Sequence, residues 1–63
     1  MLKVTIKYNA PIGDFRAIER KETFYAVHKW KAPGTSLVYF MIDRFNVRTV
    51  AEDEIVSIEE VKA

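Results

Sequence analysis

TFYAVHKWKAPGTSLVYFMI, residues 23–42, decides the fold class. From Thr23 to Trp30 the chain alternates: Phe24, Ala26, His28 and Trp30 fall on one side, Thr23, Tyr25, Val27 and Lys29 on the other. Successive side chains of an extended strand point to opposite faces, so this is strand periodicity. Lys31-Ala32-Pro33-Gly34-Thr35 then breaks it. Pro sets φ at the second turn position and Gly accepts a positive φ at the third, which predicts a type II turn. Ser36 to Ile42 returns as a hairpin partner rich in β-formers. Leu37, Tyr39 and Met41 alternate against Val38, Phe40 and Ile42, so both faces of this strand are apolar. That places it at the centre of a closed or nearly closed sheet.

Upstream, Leu2-Lys3-Val4-Thr5-Ile6-Lys7-Tyr8 alternates strictly and predicts a half-buried first strand. Asn9-Ala10-Pro11-Ile12-Gly13-Asp14 reads as its end, because Pro11 lacks a ladder donor and Gly13 tolerates positive φ. Residues 15–22 allow two readings. Asp14 can cap a short helix over 14–21 in which Phe15 and Ile18 share a face. Alternatively the segment is the irregular start of a long second strand. Strand or loop is preferred, since a two-turn helix is marginal without strong packing.

Downstream, Asp43-Arg44-Phe45-Asn46 reads as a turn, with Asn46 suited to a special backbone angle. Val47 to Val50 predicts a short strand, Ala51 to Glu54 a single helical turn, and Ile55 to Val61 a last strand. The expectation over residues 1–63 is one small, mainly β domain. Its form would be a five-stranded, strongly bent antiparallel sheet or a small barrel, which removes exposed edges. The order of these elements, above all VAEDEIVSIEEV at residues 50–61, resembles the SH3-like group of small barrels. The resemblance implies a 3₁₀ turn before the last strand. The acidic and aromatic loops of peptide-binding SH3 domains have no counterpart here, so a proline-rich ligand is not implied.

Several function classes find no support in the residues present. The chain has no Cys and one His, which removes disulfides, thiol chemistry and thiolate metal sites. A P-loop, a dinucleotide glycine pattern, a nucleophile elbow and zinc spacings are absent from the sequence. Glu52-Asp53-Glu54 has neither the length nor the glycine of a calcium loop. Ser36 and Ser57 have no base beside them in sequence, and Glu59 and Glu60 point to opposite sides of a strand. No catalysis, metal or small-molecule cofactor is expected. His28 reads first as a partly buried structural residue. The longest apolar run, Leu37 to Ile42, is far shorter than the roughly 20 residues a membrane-spanning helix needs, so no membrane association is expected and cytoplasm is the default.

The charge is uneven although the net is only +1. Residues 1–51 hold nine basic against four acidic side chains, and residues 52–63 one against five. Between Tyr25 and Arg48 cations and rings interleave. Tyr25, Lys29, Trp30, Lys31, Arg44 and Arg48 are therefore the candidate binding residues. Nucleic-acid surfaces use this mixture, cations meeting phosphates while flat rings stack on bases. Lys29, Lys31, Arg44 and Arg48 would contact phosphates, with Trp30 and Tyr25 stacking. The other expectation is a protein-interaction module or homo-oligomer, drawn from the small core, the eight aromatic residues and the acidic end. Every large ring is also a core candidate in so short a chain.

Overall fold

The computed structural model describes residues 1–62. Its strands are β1 (Leu2–Ile12), β2 (Arg16–Ala26), β3 (His28–Lys31), β4 (Leu37–Asp43), β5 (Asn46–Ala51) and β6 (Ile55–Glu60), with a 3₁₀ turn at Glu52–Glu54 before β6. The protein is mainly β, as its periodicity predicts. Instead of five strands in one sheet there are six, in two three-stranded antiparallel sheets ordered β2-β1-β6 and β3-β4-β5. Apolar on both faces, β4 is central in its sheet. No helix among the described residues is long and apolar enough to cross a membrane.

The first hairpin is longer than its sequence suggests. β1 and β2 stay in register from Leu2↔Ala26 to Ile12↔Arg16, so residues 14–21 form no helix. Pairing fixes Arg16 to Lys21 as strand without needing an apolar face, because each residue is held by its neighbour on β1. Gly13, at φ 70°, begins the three-residue connection. Pro11 is part of β1 rather than its terminator. β6 covers β1 only from Leu2 to Ile6, so Pro11 sits where β1 has one free edge and a missing donor is tolerated. The hairpin beyond Tyr8 therefore projects as a two-stranded arm, and residues 11–21 are all exposed.

One residue separates the sheets. Val27 belongs to neither strand, and its N–H donates to the Met41 carbonyl at 2.8 Å. Before it, Phe24 and Ala26 lie opposite Val4 and Leu2 and face the core. After it, Lys29 and Lys31 lie opposite buried Phe40 and Val38, while His28 and Trp30 lie opposite Met41 and Tyr39. The unpaired residue shifts the period by one, and a one-residue shift sends every following side chain to the other face. His28 and Trp30 thus do not share a face with Phe24 and Ala26, as uninterrupted alternation predicts. They point outward.

The core lies between the sheets. Val4, Ile6, Ala26, Val38, Phe40 and Val50 are buried, and Leu2, Tyr8, Phe24, Ile42, Ile55 and Ile58 pack around them. Phe24 meets Phe40 edge to face at 5.4 Å, an arrangement aromatic quadrupoles favour. The turns hold the second sheet in place. Thr35 N–H donates to the Ala32 carbonyl at 3.2 Å, with Pro33 and Gly34 between them and Gly34 at φ 75°, the predicted type II arrangement. In the β4–β5 turn Asp43 accepts from the Phe45 N–H at 2.8 Å and from the Asn46 amide at 2.8 and 2.9 Å. Among the described residues none but glycine has positive φ, so Asn46 acts through its side chain rather than a special backbone angle.

Candidate functional site

The outer face of the β3-β4-β5 sheet is built by alternation alone. β3 supplies His28 and Trp30, β4 supplies Leu37, Tyr39 and Met41, and β5 supplies Val47, Thr49 and Ala51. These eight include no Lys, Arg, Asp or Glu. The Trp30 and Tyr39 rings stack across the strands at 5.5 Å and 13°, and His28 stacks on Trp30 at 5.9 Å and 25°. Trp30 is 39% and Val47 52% exposed. Exposed His28 is no buried structural residue; its ring extends an aromatic row. Among the described residues, no sheet or turn covers this face.

The structure divides the cationic, aromatic cluster predicted from sequence. Lys29 and Lys31 flank Trp30 in sequence but leave the strand on its other side. Lys31 pairs with Glu52 at 3.0 Å. Arg48 lies opposite Phe40 on the inner side, where it holds Glu22 through two parallel bonds of 2.7 and 2.8 Å. Its guanidinium also sits 4.6 Å from the Phe24 ring centroid. Planar donors matched to a carboxylate and resting on a ring make Arg48 a rim-sealing residue of the core. The Arg48 hydrogen bonds hold the Glu22 carboxyl below its ordinary value against the opposing effect of burial, and Glu22 in turn raises Arg48. Lys29 and Arg44 are exposed and make no ion pair among the described residues. Tyr25 lies opposite Lys3 on the outer side of the first sheet, away from Trp30. Of the six predicted residues, only Trp30 belongs to the aromatic face.

The acidic end is partly consumed within the chain. Glu52 takes Lys31, Glu60 receives the N-terminal ammonium at 3.3 Å, and Glu59 stands opposite Lys3. Asp43 is held below its ordinary value, first by the Asn46 amide and then by the Phe45 N–H. A polar cleft lined by Lys7, Tyr8, Asn9, Glu19, Asp53 and Glu54 lies at the base of the arm. No three His, Cys, Asp or Glu side chains among the described residues gather as metal ligands. Leu37, Tyr39 and Met41 were visible in sequence as one face of β4. What sequence did not reveal is that this face stays uncovered and is joined by His28 and Val47. Compared with protein-family models, with curated proteins and with solved structures, the chain finds no match.

Proposed function

We propose that this protein is a non-catalytic binding module whose working surface is the outer face of the β3-β4-β5 sheet, and that its ligand is a protein surface. One observation carries this reading: a row of His28, Trp30 and Tyr39, bordered by Leu37, Met41 and Val47 and free of ionic side chains. Exposed apolar patches of this kind mark interaction sites, and interface centres are rich in aromatic side chains and poor in charge. A sheet of a small domain usually shows water a polar outer face; this one does not.

A nucleic-acid ligand is the second reading. Exposed Lys29 and Arg44 support it, and Lys29, Trp30 and Lys31 border one shallow pocket. But the ring row stacks on itself, and the eight residues of its face include no cation. Phosphate contacts supply most non-specific affinity for nucleic acid, so a face without cations suits a protein better. NMR titration of the labelled full chain with short single-stranded and duplex oligonucleotides, at low and high salt, separates the two. The protein reading expects no response on His28, Trp30 and Tyr39. Salt-sensitive shifts gathered on Lys29, Trp30 and Arg44 would overturn it in favour of nucleic acid.

A further inference from the structure

The first hairpin and the aromatic face are both uncovered, and their shapes and chemistries fit one another. We infer that the arm, residues 9–20, is an exchange element: in a two-fold dimer each copy lays its arm across the outer β3-β4-β5 face of the other. The inference rests on the reading of that face as a protein-docking surface and names its occupant, a second copy of this chain.

Surface and shape are the first argument. A folded monomer of this mass exposes about 4,200 Å², whereas this chain exposes 4957 Å². The excess of about 800 Å² equals one partner's share of a standard interface. The radius of gyration is 13.1 Å, against about 10.6 Å for a compact domain of this length. The arm is the source, since its residues from Pro11 onward are exposed throughout. A two-stranded ribbon by itself is at best marginally stable in water. Three large apolar side chains mark it: Ile12 and Ile18 on one side, and Phe15, 99% exposed, at its tip.

Matching surfaces are the second argument. The paired strand of the arm from Asn9 to Ile12 runs about 10 Å and the turn at residues 13–15 extends it, comparable with the run of about 14 Å from Leu37 to Met41 on β4 that bears the aromatic face. Arg16 and Arg20 share a side with Ile12 and Ile18, being their register partners or two residues away along β2. At the end of the aromatic face, beside the Leu37↔Ala51 pair, stands the acidic turn Glu52–Glu54, tied to Ser36 by a 2.7 Å backbone bond. The arm as a whole is neutral, since Asp14 and Glu19 offset Arg16 and Arg20, but the two arginines lie together on its apolar side while Glu19 lies on the other. That cationic, apolar side is complementary to the acidic rim of a second copy. Within one copy the base of the arm borders the acidic turn through Asn9 and Glu19, but the arm does not reach the copy's own aromatic face. The apolar side of the arm continues the core side of the first sheet, while the aromatic face looks away from that sheet.

Sedimentation of the full chain across a concentration series tests this with three proteins: wild type, the arm variant Phe15→Asp and the face variant Trp30→Lys. Both substituted side chains are exposed, and circular dichroism checks each fold; Val47→Lys replaces Trp30→Lys should the latter misfold. Wild type should dimerise, and each variant should associate about thirtyfold more weakly or worse, the effect of losing a hot-spot aromatic. Mixing the two variants should restore association in part, because the arm of the face variant still meets the intact face of the arm variant. Three results would overturn the exchange. Wild type sedimenting as a monomer throughout removes it. Association lost in Trp30→Lys but kept in Phe15→Asp also removes it, yet leaves the face as the docking surface. Association kept in both removes the exchange and the face together.

Discussion

Truncating one buried ring and one outward ring should separate the two sides of the second sheet. Phe40 is fully buried among Val4, Ile6, Val38 and Val50, and it receives Phe24 edge to face. Replacing it with alanine removes the ring and leaves a cavity, a change that costs about 3–5 kcal/mol in cores. Losing the edge-to-face contact adds about 0.5–1.5 kcal/mol. A chain of this length has total stability of about 3–9 kcal/mol. Phe40→Ala should therefore be largely unfolded at 25 °C, and Phe40→Leu should stay folded at a measurable loss. Truncating Trp30 removes its cross-strand contact with Tyr39, a kind of pair that contributes about 0.2–1 kcal/mol, together with its stack on His28 in the same strand. With the same-strand stack taken as similar in size, Trp30→Ala should cost about 0.4–2 kcal/mol and leave the fold intact. Urea denaturation followed by far-UV circular dichroism measures all three. Should Trp30→Ala prove as damaging as Phe40→Ala, the assignment of the two faces would be wrong.

Two further perturbations probe the rim and a turn. Glu22 is held below its ordinary value of 4.5 by Arg48, so its stabilising effect is present above that pH and disappears as pH falls through the lower folded value. Melting temperatures of wild type and Glu22→Gln should differ at neutral pH and converge in acid, with Arg48 charged throughout; parallel curves to the lowest pH would refute the pairing. Gly34 has φ 75° and nothing within 4 Å of an added Cβ, so its substitution meets backbone strain alone. Gly34→Ala should cost about 1–2 kcal/mol, and an unchanged urea midpoint would exclude the left-handed turn.

Legibility in the sequence followed local signals. Alternation in Leu2–Tyr8 marked the first two thirds of β1, and double-sided apolarity in Leu37–Ile42 marked β4 as central. Pro33-Gly34 fixed its turn, and short, polar Ala51–Glu54 indicated a single helical turn before β6, which the resemblance to SH3-like barrels implied to be 3₁₀. The arm was not legible, because Arg16–Lys21 is strand only through pairing with β1, and pairing leaves no mark in composition. Nor was the fate of the cations. Arg48 and Lys31 look free in sequence, yet their carboxylate partners lie 26 and 21 positions away: Glu22 meets Arg48 only when the two sheets pack, and Glu52 meets Lys31 only when β5 joins the second sheet. Asn46 has the composition of a left-handed turn residue, but its amide is spent on Asp43.

Val27 carries a consequence out of proportion to its size. It works as a phase switch: the same residues 28–31 present rings or ammonium groups to the outside depending on whether one spacer precedes them. Lineages with and without that spacer would share nearly every residue yet show their surroundings opposite chemistry, one oily and one cationic. Recognition in such a chain is written in the count of residues before the strand as much as in their identity.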